Sequence, residues 1–323
     1  MIIRKINFFL HYLLTCIIFN RMSYSLCCIS KTLAAEGHNV QTMTWARFSK
    51  LPREEAVATV SERTLNNLRV TRKILEQCAD RGWGYRVSSA LFPLLTYDVA
   101  ELKLEDYPDY VDIMATFADC ASIIKDRHIR ISCHPDQFNV LASLGKVQVE
   151  KTIKELNHHG WLMDMLGAHR DYRCPINIHV NNTKGEPAEI ANRFMMNLYR
   201  CDEAVRSRLV VENEDKGIWT PKLLAEHFTI PITYDNLHHK CLPDGLTEDQ
   251  AYMLCYRTWH RKGYFKPLFH YSESHPDKDN PRSHADMPTK LPKDGGYSFP
   301  VDYDIELKHK DDAIRAIETC PVG

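Results

Sequence analysis

Six short β-prone runs in this chain each close on a side chain able to bind a metal. They are Ile131-Ser132-Cys133-His134, Ile176-Asn177-Ile178-His179, Leu209-Val210-Val211-Glu212, Ile232-Thr233-Tyr234-Asp235, Leu268-Phe269-His270 and Tyr303-Asp304-Ile305-Glu306. An apolar or β-branched run that ends on a carboxylate or imidazole reads as a short buried strand whose last residue emerges at an active face. Successive closing residues lie 45, 33, 23, 35 and 36 positions apart. Each interval is about one strand-plus-helix unit.

The intervening segments carry helical patterning. Residues 53–81 place Val57, Val60, Leu65, Leu68, Leu75 and Cys78 near the helical period, and Gly82 follows as a stop. Helices are also expected over 107–126, 149–169, 186–207, 247–262 and 310–319. A short one opens at Thr220-Pro221, a cap followed by proline at the first helical position. Residues 26–29 and 85–88 supply two further strands, which makes eight, and 30–49 reads as a long polar loop, a length that usually marks function. No linker rich in Pro, Gly or Ser divides the chain, and no repeat is evident. The expected architecture is α/β, a single (β/α)₈ TIM barrel over residues 22–319. Its metal site would lie where the carboxyl ends of the strands converge.

Composition sets limits on function. The chain has 323 residues, 44% of them hydrophobic, and a formal charge of −1. That is not the bulk basic signature of a non-specific nucleic-acid binder. It leaves DNA open as a substrate, because bound divalent cations add positive charge that the formal count omits. The 11 cysteines are scattered and form no CxxC pair. Reduced core cysteines in a reducing, cytoplasmic setting are therefore expected rather than a disulfide framework or a zinc ribbon. At the amino end, a basic Met1 to Lys5 precedes a mostly apolar Ile6 to Phe19, broken by Asn7, His11 and Thr15. This is too short and interrupted for a membrane span. Residues 1–21 are read as an extension ahead of a start at Met22, with a signal-like targeting segment as the alternative.

The mix of His and carboxylate suits manganese, zinc or iron better than calcium. His134, His179, Glu212, Asp235, His238, His270, His284 and Glu306 form the candidate ligand set, enough for a polynuclear site bridged by Glu212. Asp235 and His238 are three apart, so both can reach one cavity where a strand turns into its loop. Glu214 and Asp215 are expected behind the ligands or in solvent. A cluster of this kind lowers the pKa of a bridging water and neutralises charge on a phosphate. It needs no serine or cysteine nucleophile, and none sits in a recognisable triad.

With these motifs goes a set of longer matches: Thr44-Trp45-Ala46-Arg47-Phe48, Tyr85-Arg86-Val87-Ser88-Ser89, His134-Pro135-Asp136-Gln137-Phe138, Tyr234-Asp235-Asn236-Leu237-His238-His239, Arg282-Ser283-His284-Ala285-Asp286 and Asp304-Ile305-Glu306-Leu307-Lys308. Together with the other strand ends they span about residues 26–310, and the chain resembles the UV damage endonuclease family. The resemblance implies a barrel related to endonuclease IV and a three-metal site usually described with manganese. It also implies ATP-independent incision of double-stranded DNA immediately 5′ of pyrimidine dimers, other photoproducts and abasic sites. By position, His134, His179 and Glu212 would hold one metal, Glu212, Asp235, His270 and Glu306 the next, and His238 and His284 the third. Glu212, His134 and His270 would then stand at the reacting centre. Gln137 and Phe138 would wedge into the duplex at the lesion, where unstacking is already partly accomplished by the damage. Arg47, Arg86, Lys308 and Lys310 are candidate phosphate contacts. No nucleotide cofactor or obligate protein partner is implied, and a monomer is expected.

The chain departs from the family in two places. Ser25-Leu26 stands where an Arg-x-Gly-Tyr start is common, with Tyr24 just before it. Leu268 occupies a position that holds a modified lysine in some members, with Lys266 nearby. Two other readings stay open from sequence: a xylose isomerase-like sugar isomerase or epimerase on the same barrel, and a damage-binding protein without catalysis.

Overall fold

The computed structural model describes residues 22–263, 265–293 and 300–320; the expectations for residues 1–21 lie outside them. In chain order the elements are β1 (Tyr24–Cys27), α1 (Lys31–Ala35), α2 (Trp45–Phe48), α3 (Arg53–Arg81), β2 (Gly84–Val87), α4 (Tyr110–Asp126), β3 (Ile131–Cys133), α5 (Lys146–Met165), β4 (Ile176–Ile178) and α6 (Pro187–Leu198). They continue as α7 (Glu203–Arg206), β5 (Leu209–Glu212), α8 (Pro221–His227), β6 (Ile232–Thr233), α9 (Asn236–Cys241), α10 (Glu248–His260), β7 (Leu268–Tyr271), β8 (Asp302–Ile305) and α11 (Asp311–Thr319). Every ladder between these strands is parallel, in the order β6-β5-β4-β3-β2-β1-β8-β7. The remaining seam, between β6 and β7, is bridged at Asp235 and His270, where the His270 N–H donates to the Tyr234 carbonyl at 3.0 Å. The result is a nearly closed α/β barrel of the TIM type. Two candidate ligands form the bridge that completes the ring.

Local sequence explains most element ends. Gly82 terminates α3 with φ of 69°, a left-handed conformation that costs other residues more. Thr247 and Gln250 form a reciprocal capping box on α10. At Gly160 in α5 an added Cβ would lie 2.9 Å from Val205 and 3.1 Å from Ala204, so its absence lets α5 and α7 pack closely.

Several expectations shift. The first strand ends at Cys27: the Cys28 N–H makes the last bond to the Arg86 carbonyl at 2.9 Å, and its φ of 68° then turns the chain away. The expected loop at 30–49 holds α1 and α2, capped by the Ser30 and Thr44 side chains. Elements one turn long carry no periodicity to detect. The expected helix at 186–207 is two helices, divided between Leu198 and Glu203. After β6 the chain enters α9 directly, with Asp235 as the cap residue.

A cluster of charges gathers at the amino end of the barrel. Asp302, at the start of β8, accepts from Arg130 at 2.8 Å and from the Ser23 N–H and hydroxyl, and it pairs with Lys266. Arg130 also donates to the carbonyls of Arg173 and Lys266 at 2.9 and 2.8 Å. Burial raises the Asp302 carboxyl pKa, but Arg130 and Lys266 outweigh it and hold the group below its ordinary value. The stability this contributes is fully present above the unfolded carboxyl value, about 3.9, and is lost as pH falls through the depressed folded value. Asp302→Asn removes the negative charge that the half-buried Arg130 and Lys266 face. Denaturant unfolding at neutral pH is expected to show a loss of roughly 1.5–3 kcal/mol, the scale of hydrogen bonds to a charged group, a gap that narrows only in acid below the ordinary carboxylate range.

Candidate metal centre

The carboxyl ends of the strands bring seven of the eight candidate ligands into three overlapping groups. These are His134, Glu212 and His270; His179, Glu212 and His238; and Asp235, His270 and Glu306. Within each group the ligand atoms lie within 4.8 Å of one another. Glu212 belongs to two groups through its two oxygens. Its Oε2 lies 3.2 Å from His134 Nε2 and 3.8 Å from His179 Nε2, and its Oε1 lies 3.1 Å from His238 Nδ1 and 3.2 Å from His270 Nδ1. His270 is the second shared residue, with Nδ1 3.3 Å from Glu306 Oε1. His284 stands outside the three groups, in the loop after β7, with Nδ1 3.0 Å from the Glu306 carbonyl. This grouping differs from the one implied by the resemblance, which set His238 with His284 rather than with His179.

Strand geometry explains the convergence. Glu212 is the last residue of β5, and His134, His179 and Glu306 each follow their strand by one position, on faces turned to the barrel axis. Asp235 is split between two tasks: Oδ1 caps α9 by accepting the His238 N–H at 2.7 Å, while Oδ2 is left for the cavity. The same helical turn aims His238 at Glu212. Three histidines are fixed in one tautomer. A carbonyl only accepts, so the Nδ1–H of His134 donates to Pro135 at 3.0 Å, that of His238 to Asn213 at 2.8 Å, and that of His284 to Glu306 at 3.0 Å. Such outer contacts hold a ligating imidazole with its Nε2 lone pair available.

Buried polar atoms that find no hydrogen bond are rare in proteins. Here Glu212 Oε1, Asp235 Oδ2, His270 Nδ1 and His179 Nδ1 are buried and find none. The first three belong to the shared groups, and Glu212 and Asp235 are 1% and 0% exposed. Lone-pair donors of the right types facing one small space fit divalent cations. Electrostatics agree. Burial raises the Glu212 pKa, but the His270 and His179 imidazoles, with His134 and His238 close by, hold it well below the carboxylate range. Burial lowers the His270 pKa, yet the Glu212 and Glu306 carboxylates push it up to about 9. His238 is likewise raised, chiefly by Asp235 and Glu212 against its burial. Burial dominates at His179 and brings it to about 4. The carboxylates thus draw positive charge into a site with little solvent, and a cation supplies that charge while replacing the protons.

A second ring of residues holds the first. Asn177 donates to Glu212 Oε2. Asn213 clamps Asp235 from both sides, accepting its N–H at 2.8 Å and donating to its carbonyl at 3.0 Å. Asp304 accepts from the Ser132 hydroxyl at 3.1 Å and lies 3.7 Å from His270 Nε2. None of the three was singled out from sequence. For Asn177 and Asp304 the signal was there: each lies two positions before a ligand, on the same inward face of its strand.

The substrate candidates fall in different places. Gln137 and Phe138 stand exposed on the loop after β3, and Phe138 is 71% exposed. Packing therefore does not explain Phe138. Arg47 is exposed on α2. Lys308 and Lys310 are half-buried just beyond Glu306. Arg86 instead turns inward, half-buried against the ligands, ion-paired with Glu306 and 4.0 Å from Asp304, so its guanidinium is already committed. Lys266 reaches Asp302 at the opposite end of the barrel and does not stand in for a lysine at position 268.

Comparison with known proteins converges on one family. The family model described as UV-endonuclease UvdE matches residues 21–320. The UV DNA damage endonuclease of Bacillus velezensis is 30% identical over 291 residues, covering 86% of this chain and 88% of the relative. That of Bacillus mycoides is 28% identical over 251 residues, 76% of each chain. Among solved structures, SacUVDE superposes with a TM-score of 0.75 at 28% identity, covering 92% of this chain and 97% of that one. The AsfvAP:AG structure, at 10% identity and a TM-score of 0.51, shares the fold. With a family match over nearly the whole chain and a metal-ligand cluster at the barrel mouth, this protein belongs to the UV-endonuclease UvdE family and is a DNA repair endonuclease.

Proposed function

We propose that this protein cuts one strand of double-stranded DNA immediately 5′ of UV photoproducts, both cyclobutane dimers and 6-4 photoproducts, and beside abasic sites. The observation that carries the proposal is Glu212, a carboxylate shared between ligand groups at the floor of an open rim. Divalent cations, manganese foremost and zinc as the alternative, would be held by His134, His179, Glu212, Asp235, His238, His270 and Glu306, with His284 completing a three-metal site. When bound, they supply a nucleophilic hydroxide near neutral pH and neutralise the phosphate charge. The chain's own residues do the rest. Glu212, His134 and His270 set the reacting position, while Asn177 and Asn213 keep the carboxylates aimed. Gln137 and Phe138 project from the rim, where an amide and a flat ring can fill the space left by an unstacked base. Arg47 and Lys308 contact phosphates. No nucleotide cofactor or second subunit enters this scheme.

The test is nicking of supercoiled plasmid, UV-irradiated or untreated, with manganese, with zinc or with chelator. Metal-dependent nicking confined to irradiated plasmid is expected; equal nicking of both plasmids contradicts the proposal. Phe138→Ala removes the ring that stacks at the lesion. Base–aromatic stacking is worth roughly 1–3 kcal/mol, so kcat/KM on a single-dimer duplex should fall about 5- to 150-fold, with cutting of undamaged duplex unchanged.

A further inference from the structure

The loop that presents Gln137 and Phe138 is held from one side by the loop after β4. Asn181 donates its side-chain amide to the Gln137 carbonyl at 2.9 Å, and Asn182 donates to the Ala142 carbonyl at 2.6 Å. The β4 loop is tied in turn to the segment after β5. The Asn181 N–H donates to the buried Glu214 carboxylate at 2.7 Å, and Trp219 Nε1 donates to the Asn182 carbonyl at 2.7 Å. Glu214 follows Glu212 by two positions, so a short chain of hydrogen bonds links the strand bearing Glu212 to the exposed tip. On its other side helix α5 ties the loop: Gln148 donates to the Phe138 carbonyl at 2.8 Å and the Thr152 hydroxyl accepts the Val140 N–H at 3.1 Å.

The backbone at Asn181 explains the residue type. Its φ is 49°, in the left-handed region. Asn tolerates that region better than other residues with a side chain, and Gly better still. Asn alone combines this tolerance with a short amide that can both turn the chain and donate to a neighbouring loop.

We propose that Asn181 is a positioning residue for damage recognition: it pins the Gln137 backbone so that Gln137 and Phe138 meet the duplex already ordered. This rests on the reading that the tip engages the lesion. A loop ordered before binding avoids the entropy of ordering it on the DNA. Loss of the pin therefore weakens capture of damaged duplex and spares the chemical step.

Two variants test it. Asn181→Gly keeps the left-handed backbone and removes the amide; Asn181→Asp keeps the shape and replaces the donor with an acceptor. Melting curves establish that each is folded. Each is compared with wild type and Phe138→Ala on single-dimer and undamaged duplexes, with 2-aminopurine beside the lesion to report unstacking, and by manganese titration. The expected result is a KM for damaged duplex raised roughly three- to tenfold, the scale of one hydrogen bond. The 2-aminopurine response should be smaller, with kcat and manganese affinity within about twofold of wild type. If Phe138→Ala loses damage selectivity while both Asn181 variants keep the wild-type KM, the pin is overturned and the tip reading stands. If Phe138→Ala itself keeps full selectivity, the tip reading fails and the pin fails with it. A fall in kcat and manganese affinity at unchanged KM, or an equal rise in KM for both duplexes, also overturns it.

Discussion

Glu212→Gln leaves incision of irradiated DNA at least about a thousandfold below wild type, on the order of 4 kcal/mol of lost transition-state stabilisation. Gln has the same shape but no charge, and one of its two oxygens becomes an NH₂ that cannot coordinate. Glu212 Oε1 faces His238 and His270 while Oε2 faces His134 and His179. Each oxygen faces one imidazole of both groups that share this carboxylate, so replacing either one weakens both groups. The imidazoles raised by its charge lose that support as well. Single-turnover cleavage of a duplex with one dimer measures the effect, with binding of the same duplex followed separately. Retained binding with lost cutting is the expected pattern. Wild-type turnover in a folded Glu212→Gln protein would remove this residue from the reacting centre.

Chelation has the next largest effect: it abolishes incision and lowers thermal stability together. A ligand that binds only the folded state stabilises it by about 4 kcal/mol at a thousandfold excess over Kd. For a chain of this size that is several degrees in Tm. The cavity makes the coupling strong, because Asp235, Glu212 and Glu306 are held close with few counter-charges besides His238, His270 and Arg86. Scanning fluorimetry of chelated protein against added manganese reads this directly. Wild type is expected to shift upward, and Glu212→Gln far less. An unchanged Tm across saturating manganese would mean that these side chains hold no cation.

Much of this architecture was legible in the chain because barrel strands carry two messages at once. Their apolar composition marks burial, and their last residue marks the face on which chemistry occurs, so His134, His179, Glu212, Asp235, His270 and Glu306 could be read in register. What escaped notice depended on length or on tertiary placement. The six-residue helix after β6 is too short to show a period, although Asp235 with His238 three positions on was its capping signature. Arg86 looked like a rim arginine, but its inward position on β2 turns it toward Glu306. The pairing of His238 with His179 through Glu212 follows from how neighbouring strand ends face one another around the ring, which spacing along the chain does not encode. His284 lies on a loop held beside β8 by main-chain bonds, among them the Lys308 N–H to the Ala285 carbonyl at 3.0 Å. No strand pattern marked it.

Anomalous diffraction at the manganese edge, from crystals of the full chain grown with the metal, bears most directly on the central claim. Peaks enclosed by His134, His179, Glu212, Asp235, His238, His270 and Glu306, and missing from Glu212→Gln crystals grown in the same way, are the predicted result. A barrel mouth without anomalous signal, or manganese bound only elsewhere on the protein, would contradict it.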